Sequence, residues 1–417
     1  MSLSNFKIEF DKILNRGYFS DDFNPIRKKA FSKFIDKGLP TNNWEEWRFT
    51  NLSKLKHGNY HIPETKDASF YNIDISSFEI DSIDTIVFYN GHYQEALSSV
   101  PAGIQLLSGL EYLERKNWEF NNVEHSPFDL LNTAFMDSGV SFIIDPETVV
   151  ETPVRILFIS NGKHSIMANP RVYLDVGDST SLSFIEHHVG DATSYFQNAS
   201  LFVSVGANSS LDHIQIQSNS TSTQTITNLD IQQETDSSYT FSQFADGSEL
   251  GRNNIYVDLN GKGSNCELSG LALSNGIQQL DNNIIINHKV PHCTSSQLFK
   301  SILREKSSGV FNGRTIVQEN AQKTDANQSN KNLLLSDKAI MNSNPQLEIL
   351  TDDVRCAHGS TTGELDSDTL FYLQSRGLDQ AMAKSLLVKG FATECFDGIK
   401  NEKVKEFIEK RFDSWLN

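Results

Sequence analysis

The stretch Leu211 to Ile216, with the sequence Leu-Asp-His-Ile-Gln-Ile, belongs to a series of short β-rich runs that begins near Ser141. Turn residues such as Gly177-Asp178 and Asp246-Gly247 separate many of these runs. Helical periodicity is missing over roughly 200 residues, so the segment is predicted to be all-β. The other runs are Val154 to Ile159, Arg171 to Val176, Ser181 to His187, Ser200 to Val205, Thr225 to Ile231, Tyr239 to Phe244, Asn254 to Leu259, Glu267 to Leu273 and Asn283 to Asn287.

Many evenly spaced short strands are typical of a sandwich, a barrel or a β-solenoid. The length of the series favours the solenoid, because so many strands without a break exceed one ordinary sandwich. Polar residues inside the runs, namely Gln215, Gln217 and Asn283, are then predicted to hydrogen-bond between neighbouring coils. The spacing of the runs does not fix the coil period.

The segments that flank the β-rich part are predicted to be mainly helical. Apolar residues recur at helical spacing from Ile26 to Ile35, with Asn24 as a cap and Pro25 in the first turn. Leu106 to Arg115 and Phe128 to Phe135 are predicted as two further helices.

Three more helices are predicted at the C-terminal end. Asp366 or Ser367 can cap the first, which Gly377 ends, and Asp379 can cap the second. The third, Glu402 to Trp415, carries an apolar stripe that must dock on the β body or on another protein. The expected regions are a mainly helical part (1–140), a β core (141–363) and a helical part for partner docking (364–417).

Composition limits the classes of function. The 417 residues carry a formal charge of −17, which argues against nucleic acid or an anionic membrane as the main partner. Four dispersed cysteines and the lack of a signal peptide predict a reducing cytoplasm. No Walker A or Gly-rich dinucleotide motif occurs in the required context, so the chain itself is predicted to bind no nucleotide.

The stretch with the most candidate functional side chains is Asp352-Asp353-Val354-Arg355-Cys356-Ala357-His358-Gly359. In a strand, Cys356 and His358 project from the same side. A thiolate beside an imidazole suits zinc, copper or an iron–sulfur cluster, but two ligands need others from elsewhere or from a partner. The alternative is a small buried cysteine and a hydrogen-bonded histidine on a core-facing strand, which residue chemistry alone favours.

A second group of soft ligands comprises His288, His292 and Cys293. Pro291 makes their spacing loop-like, so a turn is favoured over a metal site. Cys266 and Cys395 are predicted to be small core residues.

Several motifs, in a fixed order, resemble the SufB/SufD family of iron–sulfur cluster assembly scaffolds. The N-terminal Glu45 to Leu52 is similar to the family's N-terminal signature, so the resemblance spans nearly the whole chain. The other motifs are Phe311 to Arg314, Gln322 to Ala326, Asn332 to Ser336, Pro345 to Ile349, Asp352 to Gly359 and Leu370 to Gly377.

The resemblance implies a right-handed parallel β-helix flanked by helical regions. Within the family the chain is similar to SufD-type members, because Ser336 stands where SufB-like chains have a cysteine and Gly359 where they have a glutamate. Both departures remove groups for ligation or sulfur relay, which implies that this chain builds no cluster unaided. His358 matches the histidine that SufD-type proteins contribute near the partner interface, and Cys356 matches the accompanying cysteine.

The resemblance also implies partners: a SufB-like paralogue and two copies of the ATPase SufC, held through the C-terminal helices. The expected role is a non-enzymatic scaffold that binds no cofactor stably but holds a transient iron–sulfur cluster at the interface with SufB. Two alternatives are a β-helix enzyme acting on polysaccharide, which needs two carboxylates in a cleft, and a homodimer. The residues expected to dock the ATPase are Leu370, Phe371, Tyr372, Arg376, Leu386 and Leu387.

Overall fold

The computed structural model describes residues 3–16, 21–64, 78, 80, 83–116, 125–162 and 165–416. The helices within these residues are α1 (Leu3–Leu14), α2 (Asn24–Lys37), α3 (Ser53–His57), α4 (Gly109–Arg115), α5 (Pro127–Phe135), α6 (Ser367–Ser375), α7 (Gln380–Thr393) and α8 (Glu402–Leu416). The strands are β1 (Asp84–Tyr89), β2 (His92–Tyr93), β3 (Gln105–Ser108), β4 (Gly139–Ile144), β5 (Val154–Ser160), β6 (Ile166–Ala168), β7 (Arg171–Val176), β8 (Ser181–Gly190), β9 (Tyr195–Val205), β10 (Ser210–Gln217), β11 (Thr223–Gln233), β12 (Ser238–Ala245), β13 (Leu250–Leu259), β14 (Asn265–Ser274), β15 (Gln279–His288), β16 (Thr294–Leu303), β17 (Ser308–Val317), β18 (Asp325–Leu334), β19 (Ile340–Ile349) and β20 (Arg355–Gly363).

The strands form a parallel β-solenoid of about eight turns, which confirms the predicted fold class. Successive strands alternate between two ten-stranded sheets: one ends with β16-β18-β20 and the other with β15-β17-β19. Only the β1–β2 and β3–β4 pairs among the described strands are antiparallel. Register partners in successive coils of the solenoid lie 26 to 32 positions apart, which gives the coil period that the sequence left open.

The lumen between the two sheets is the main hydrophobic core. Because strands stack in register, each inward residue lies over its equivalent in the next coil, as in the column Leu201, Leu229, Ile255 and Ile284. The period-two alternation of a strand therefore produces continuous apolar columns. Cys266 belongs to this core, as predicted.

Polar side chains also stack between coils. Gln215 donates to Glu186 Oε2 (3.0 Å), Gln243 donates to Gln215 Oε1 (3.0 Å), and Gln217 donates to Ser248 Oγ (3.0 Å). The prediction of inter-coil hydrogen bonds is therefore confirmed for Gln215 and Gln217. For Asn283 the side-chain amide nitrogen does not make the predicted bond, because this buried Nδ2 has no hydrogen-bond partner.

Each sheet is covered on its outer face by one end of the chain. The N-terminal helices and α5 pack on the sheet that contains β9 and β11, in an apolar cluster that includes Trp47. Helices α7 and α8 pack on the other sheet, and Val404, Ile408 and Phe412 of the predicted stripe are buried there with Cys395. None of the described helices has the length and apolar character needed to cross a bilayer.

Two local predictions in the N-terminal part were wrong. Leu106 and Leu107 lie in β3, which pairs with β4, so the helix begins only at Gly109 after Ser108. Pairing with β4 satisfies the backbone N–H and C=O groups of this segment. The Ser108–Glu111 capping box then starts the helix. Asn24 is not a cap, because a 3₁₀ turn runs directly into α2 and the amide of Asn24 donates to Asp21 instead.

Acid sensitivity is expected from His288 at the end of β15. Burial lowers the pKa of this imidazole to about 4, whereas an unfolded histidine titrates near ~6.5. Between these values the unfolded chain binds more protons than the folded one, so stability falls as the pH drops through this window. At a pH of about 5 the loss from this group is about 2 kcal/mol.

Urea unfolding of the wild-type chain and of His288→Gln, at neutral pH and at a pH of about 5, tests this expectation. The free energy of unfolding of the wild type should lose about 2 kcal/mol more than that of the variant on acidification. An equal loss in both proteins would show that His288 is not an acid-sensitive group.

Candidate functional site at the open end of the solenoid

Cys356 and His358 lie on β20, the last strand of its sheet. The register places Cys356 beside Ala326 and His358 beside Gln328 of β18. Traced back through β16 to β14, these columns reach Cys266 and Leu268 of the lumen core. Both side chains therefore extend inward-facing columns.

The position at the end of the solenoid changes how far these two side chains are buried. Among the described residues no further coil stacks on β20, so the His358 side chain is exposed and Cys356 is only half-buried. The alternative of a buried cysteine and histidine in the core thus fits the direction of the side chains but not their exposure. The pair forms part of the rim of the lumen.

The two last strands, β19 and β20, leave one edge of each sheet unpaired. Such an edge is a template for another strand. Arg355 N donates to Thr324 O of the preceding coil. Because N–H directions alternate along a strand, the N–H groups of residues 356, 358, 360 and 362 point to the open side.

The edge of β19 is less open than that of β20. Ile340 N and Leu350 N donate to the preceding coil, so the odd-numbered N–H groups of β19 point to the open side. Pro345 occupies one of these odd positions and has no N–H. Proline on an edge is a known means of limiting strand addition. A continuous ladder with another chain is therefore favoured along β20, which contains no proline.

The surroundings of the pair are polar. Ser360 Oγ donates to Ser343 Oγ (2.8 Å) across the lumen, and Ser343 Oγ donates to Asn330 Oδ1 (2.8 Å). Burial and the Asp325 carboxylate raise the pKa of the Cys356 thiol above its ordinary value. The thiol must lose its proton to bind a metal, so Cys356 is poised as a ligand only when a cation or a partner stabilises the thiolate.

The other candidate ligands do not converge. His288 Nε2 bonds to Ser295 Oγ (2.8 Å), and Cys293 accepts from Ser264 Oγ (3.3 Å). His292 lies in an exposed turn with φ 64°, as the loop-like spacing indicated. Within the described ranges, no group of three or more His, Cys, Asp or Glu side chains is placed to hold a metal ion. Cys356 and His358 would thus need ligands from another molecule.

Ser336, which the resemblance to the family matches with a cysteine of SufB-like chains, lies in the turn after β18. It lines a groove of about 630 Å³ between the last coils and the helices α6 and α7. Its hydroxyl accepts from Lys338 N (3.3 Å). A hydroxyl cannot replace a thiolate as a soft ligand or sulfur carrier, so this groove offers no sulfur chemistry from Ser336.

The C-terminal helices present apolar side chains to solvent. Asp366 and Asp379 cap α6 and α7 as predicted, through Thr369 N (2.9 Å) and Met382 N (2.8 Å). Exposed apolar side chains on adjacent helices indicate an interaction surface. The six residues expected to dock a partner are Phe371, Tyr372, Arg376 and Leu386, which are exposed, and Leu370 and Leu387, which are partly buried.

Fold and site together define a β-solenoid protein that carries soft sulfur and nitrogen groups at an open, unpaired end. Two family models match the chain: "SUF system FeS cluster assembly, SufBD core domain" over residues 158–391, and "SufBD protein N-terminal region" over residues 9–156. The chain therefore belongs to the SufBD family of iron–sulfur cluster assembly proteins, and it is SufD-like.

Named relatives agree with this assignment. The iron–sulfur cluster assembly protein SufD of Escherichia coli is 28% identical over 94% of this chain and 93% of its own length. An iron–sulfur cluster assembly SufBD family protein of Synechocystis is 30% identical over 87% of this chain and 84% of its own length. The chloroplastic protein ABCI7 of Arabidopsis thaliana is 32% identical over 91% of this chain and 83% of its own length.

Proposed function

We propose that this protein is a non-catalytic scaffold subunit of the SUF complex. It pairs with a SufB-like paralogue at the open end of the solenoid and docks a SufC-like ATPase through α6 and α7. A nascent iron–sulfur cluster is the cargo, bound transiently where the two solenoid chains meet. His358 is a ligand of this cargo, and Cys356 assists.

The observation that carries this proposal is the position of the pair on the last strand. His358 is exposed on the lumen side of β20, and the N–H groups of that strand point to an unpaired edge. A second solenoid that continues the sheet would place its own side chains beside His358 and complete the coordination sphere. The same edge explains why the described part of this chain holds no complete ligand set.

The cysteines support a proposal for the compartment. All four, Cys266, Cys293, Cys356 and Cys395, are free thiols, and three of them are buried. Free thiols and oxygen-sensitive cargo both suit a reducing compartment. We therefore place the complex in the cytoplasm.

Co-expression with the SufB-like and SufC-like partners tests the proposal directly. The tagged chain is purified under anaerobic conditions, and the complex is assayed for subunit composition, iron and acid-labile sulfide. We expect all three chains to co-purify and the complex to carry iron and sulfide in comparable amounts. A chain that recovers neither partner would refute the scaffold role.

Docking of the ATPase is expected to depend on the exposed apolar side chains of α6 and α7. Phe371 is 72% exposed and Leu386 is 52% exposed. An aspartate in place of either would leave a charge facing the partner's apolar surface. We expect Phe371→Asp or Leu386→Asp to weaken ATPase binding by about tenfold or more, in the range of interface hot spots.

Binding titrations of the purified chain with the ATPase measure this effect. Ile277→Asp is the matched control, because Ile277 is 66% exposed but lies in the turn between β14 and β15. The control should bind like the wild type. Equal affinity of all variants would place ATPase docking elsewhere on the molecule.

A further inference from the structure

Gln328 lies directly beneath His358 in the lumen. The two residues are register partners on the adjacent strands β18 and β20, so their side chains share one face about 4.8 Å apart along the sheet. Gln328 is 1% exposed, whereas His358 faces solvent at the rim. The amide of Gln328 thus forms part of the buried floor under the imidazole.

The amide nitrogen of Gln328 is engaged on the side away from the rim. Gln328 Nε2 donates to Gln297 Oε1 of the preceding coil (3.1 Å), and Gln297 Nε2 donates across the lumen to Thr315 Oγ1 (3.3 Å). The Oε1 atom of Gln328 is buried and has no hydrogen-bond partner. A buried carbonyl oxygen without a donor has lost its hydrogen bonds to water and gained none from the protein, which costs free energy.

Gly313 on the opposite wall makes room for the amide. A Cβ atom at position 313 would collide with Nε2 of Gln328, so the amide occupies the space that a side chain would fill. The bond from Nε2 to Gln297 engages the nitrogen and leaves Oε1 available to a donor.

We propose that Oε1 of Gln328 accepts the N–H of one His358 ring nitrogen and so fixes the tautomer of this imidazole. Rotation of the exposed His358 side chain brings a ring N–H to the oxygen. The lone pair of the other ring nitrogen then points out of the lumen, toward the cargo. Histidines that bind metals are usually oriented by such an acceptor. This inference rests on the proposed function, and Gln328 is a positioning residue.

The tautomer can be measured in the isolated chain without any cluster. Imidazole ¹⁵N shifts and two-bond ¹H–¹⁵N couplings are recorded in mildly alkaline buffer, and His358→Gln identifies the signals of His358. We expect one tautomer to exceed the other by about fivefold or more, as a hydrogen bond of ordinary strength implies. Gln328→Met has the same length but no amide oxygen, and it should bring the ratio close to that of free histidine.

Two more variants separate positioning from general effects on the core. Gln328→Glu keeps a carbonyl oxygen and should restore the single tautomer. Gln243→Met is the matched control: Gln243 is also in the lumen, 4% exposed and has an unpartnered Oε1, but it lies on β12. It should leave the His358 signals unchanged. An unaltered tautomer ratio in Gln328→Met, or the same change in Gln243→Met, overturns the inference.

A second readout distinguishes this inference from the proposed function. In the anaerobic complex, Gln328→Met should lower the retained iron by about tenfold to a hundredfold, as loss of an orienting partner typically does. Gln328→Glu should recover most of it. If the tautomer shifts in the isolated chain but iron retention does not change, the hydrogen bond stands and the ligand role of His358 fails.

Discussion

Replacement of His358 by alanine is expected to abolish cluster build-up while the complex stays intact. The imidazole is exposed on the last strand and makes none of the described hydrogen bonds, so its loss costs the solenoid little. Under the proposed function the cargo, in contrast, loses a first ligand. We expect iron and acid-labile sulfide in the anaerobic complex to fall about tenfold or more, because losing even an orienting partner of a ligand costs ~10–100-fold.

The measurement compares the purified complexes at equal subunit stoichiometry. His57→Ala serves as the matched control, because His57 is an exposed histidine at the end of α3 in the N-terminal layer. The control complex should carry the wild-type amounts of iron and sulfide. If His358→Ala retains the same content as the wild type and the control, His358 is not a ligand of the cargo.

The fold was predictable where local pattern and tertiary structure agree. Runs such as Leu211 to Ile216 alternate inward and outward residues and end at turns, and they became the strands of successive coils. The last strands are harder to recognise: β18 reads Asp-Ala-Asn-Gln-Ser-Asn-Lys-Asn-Leu-Leu. Its β conformation is fixed by pairing with β16 and β20 rather than by its own propensity.

The same limit explains the wrong helix start before α4. Leu106 and Leu107 fit a helical stripe as well as a strand, and the choice is made by β4, which lies more than 30 residues later in the chain. Short apolar segments carry too little periodicity to decide this alone. Capping signals did better, since Asp366 and Asp379 start α6 and α7 as their sequence context indicated.

The sequence predicts the direction of the side chains at the candidate site, but not their exposure or their register partners. Alternation alone puts Cys356 and His358 on one side of a strand. The exposure of His358 depends on a different fact, namely that β20 is the last of the described strands in its sheet. The proposed positioning role of Gln328 and the place of Pro345 on an edge depend on register between strands that lie a full coil apart in the chain. No local motif marks them, although Pro345 inside a predicted strand does indicate an edge.

A proline on the open edge of β20 is expected to block pairing with the SufB-like partner. The N–H of Ser360 points away from β18, so Ser360→Pro removes a donor from the unpaired side and no backbone hydrogen bond from the solenoid. Gly359 precedes it in the extended backbone of β20 and has no Cβ, so the restriction that proline places on the preceding residue is met. The free energy of unfolding should change by less than about 1 kcal/mol.

Affinity for the partner is expected to fall about tenfold or more, equivalent to ~1.4 kcal/mol or above. Ser360→Ala separates the two contributions of this residue. It removes the hydroxyl that bonds to Ser343 but keeps the N–H, so its loss of affinity should be much smaller. Titration calorimetry with the purified partner measures both variants, and urea unfolding checks that each is folded. Equal binding by the proline variant and the wild type would mean that the two chains do not join through a ladder along β20, and that His358 does not lie where a partner completes its coordination.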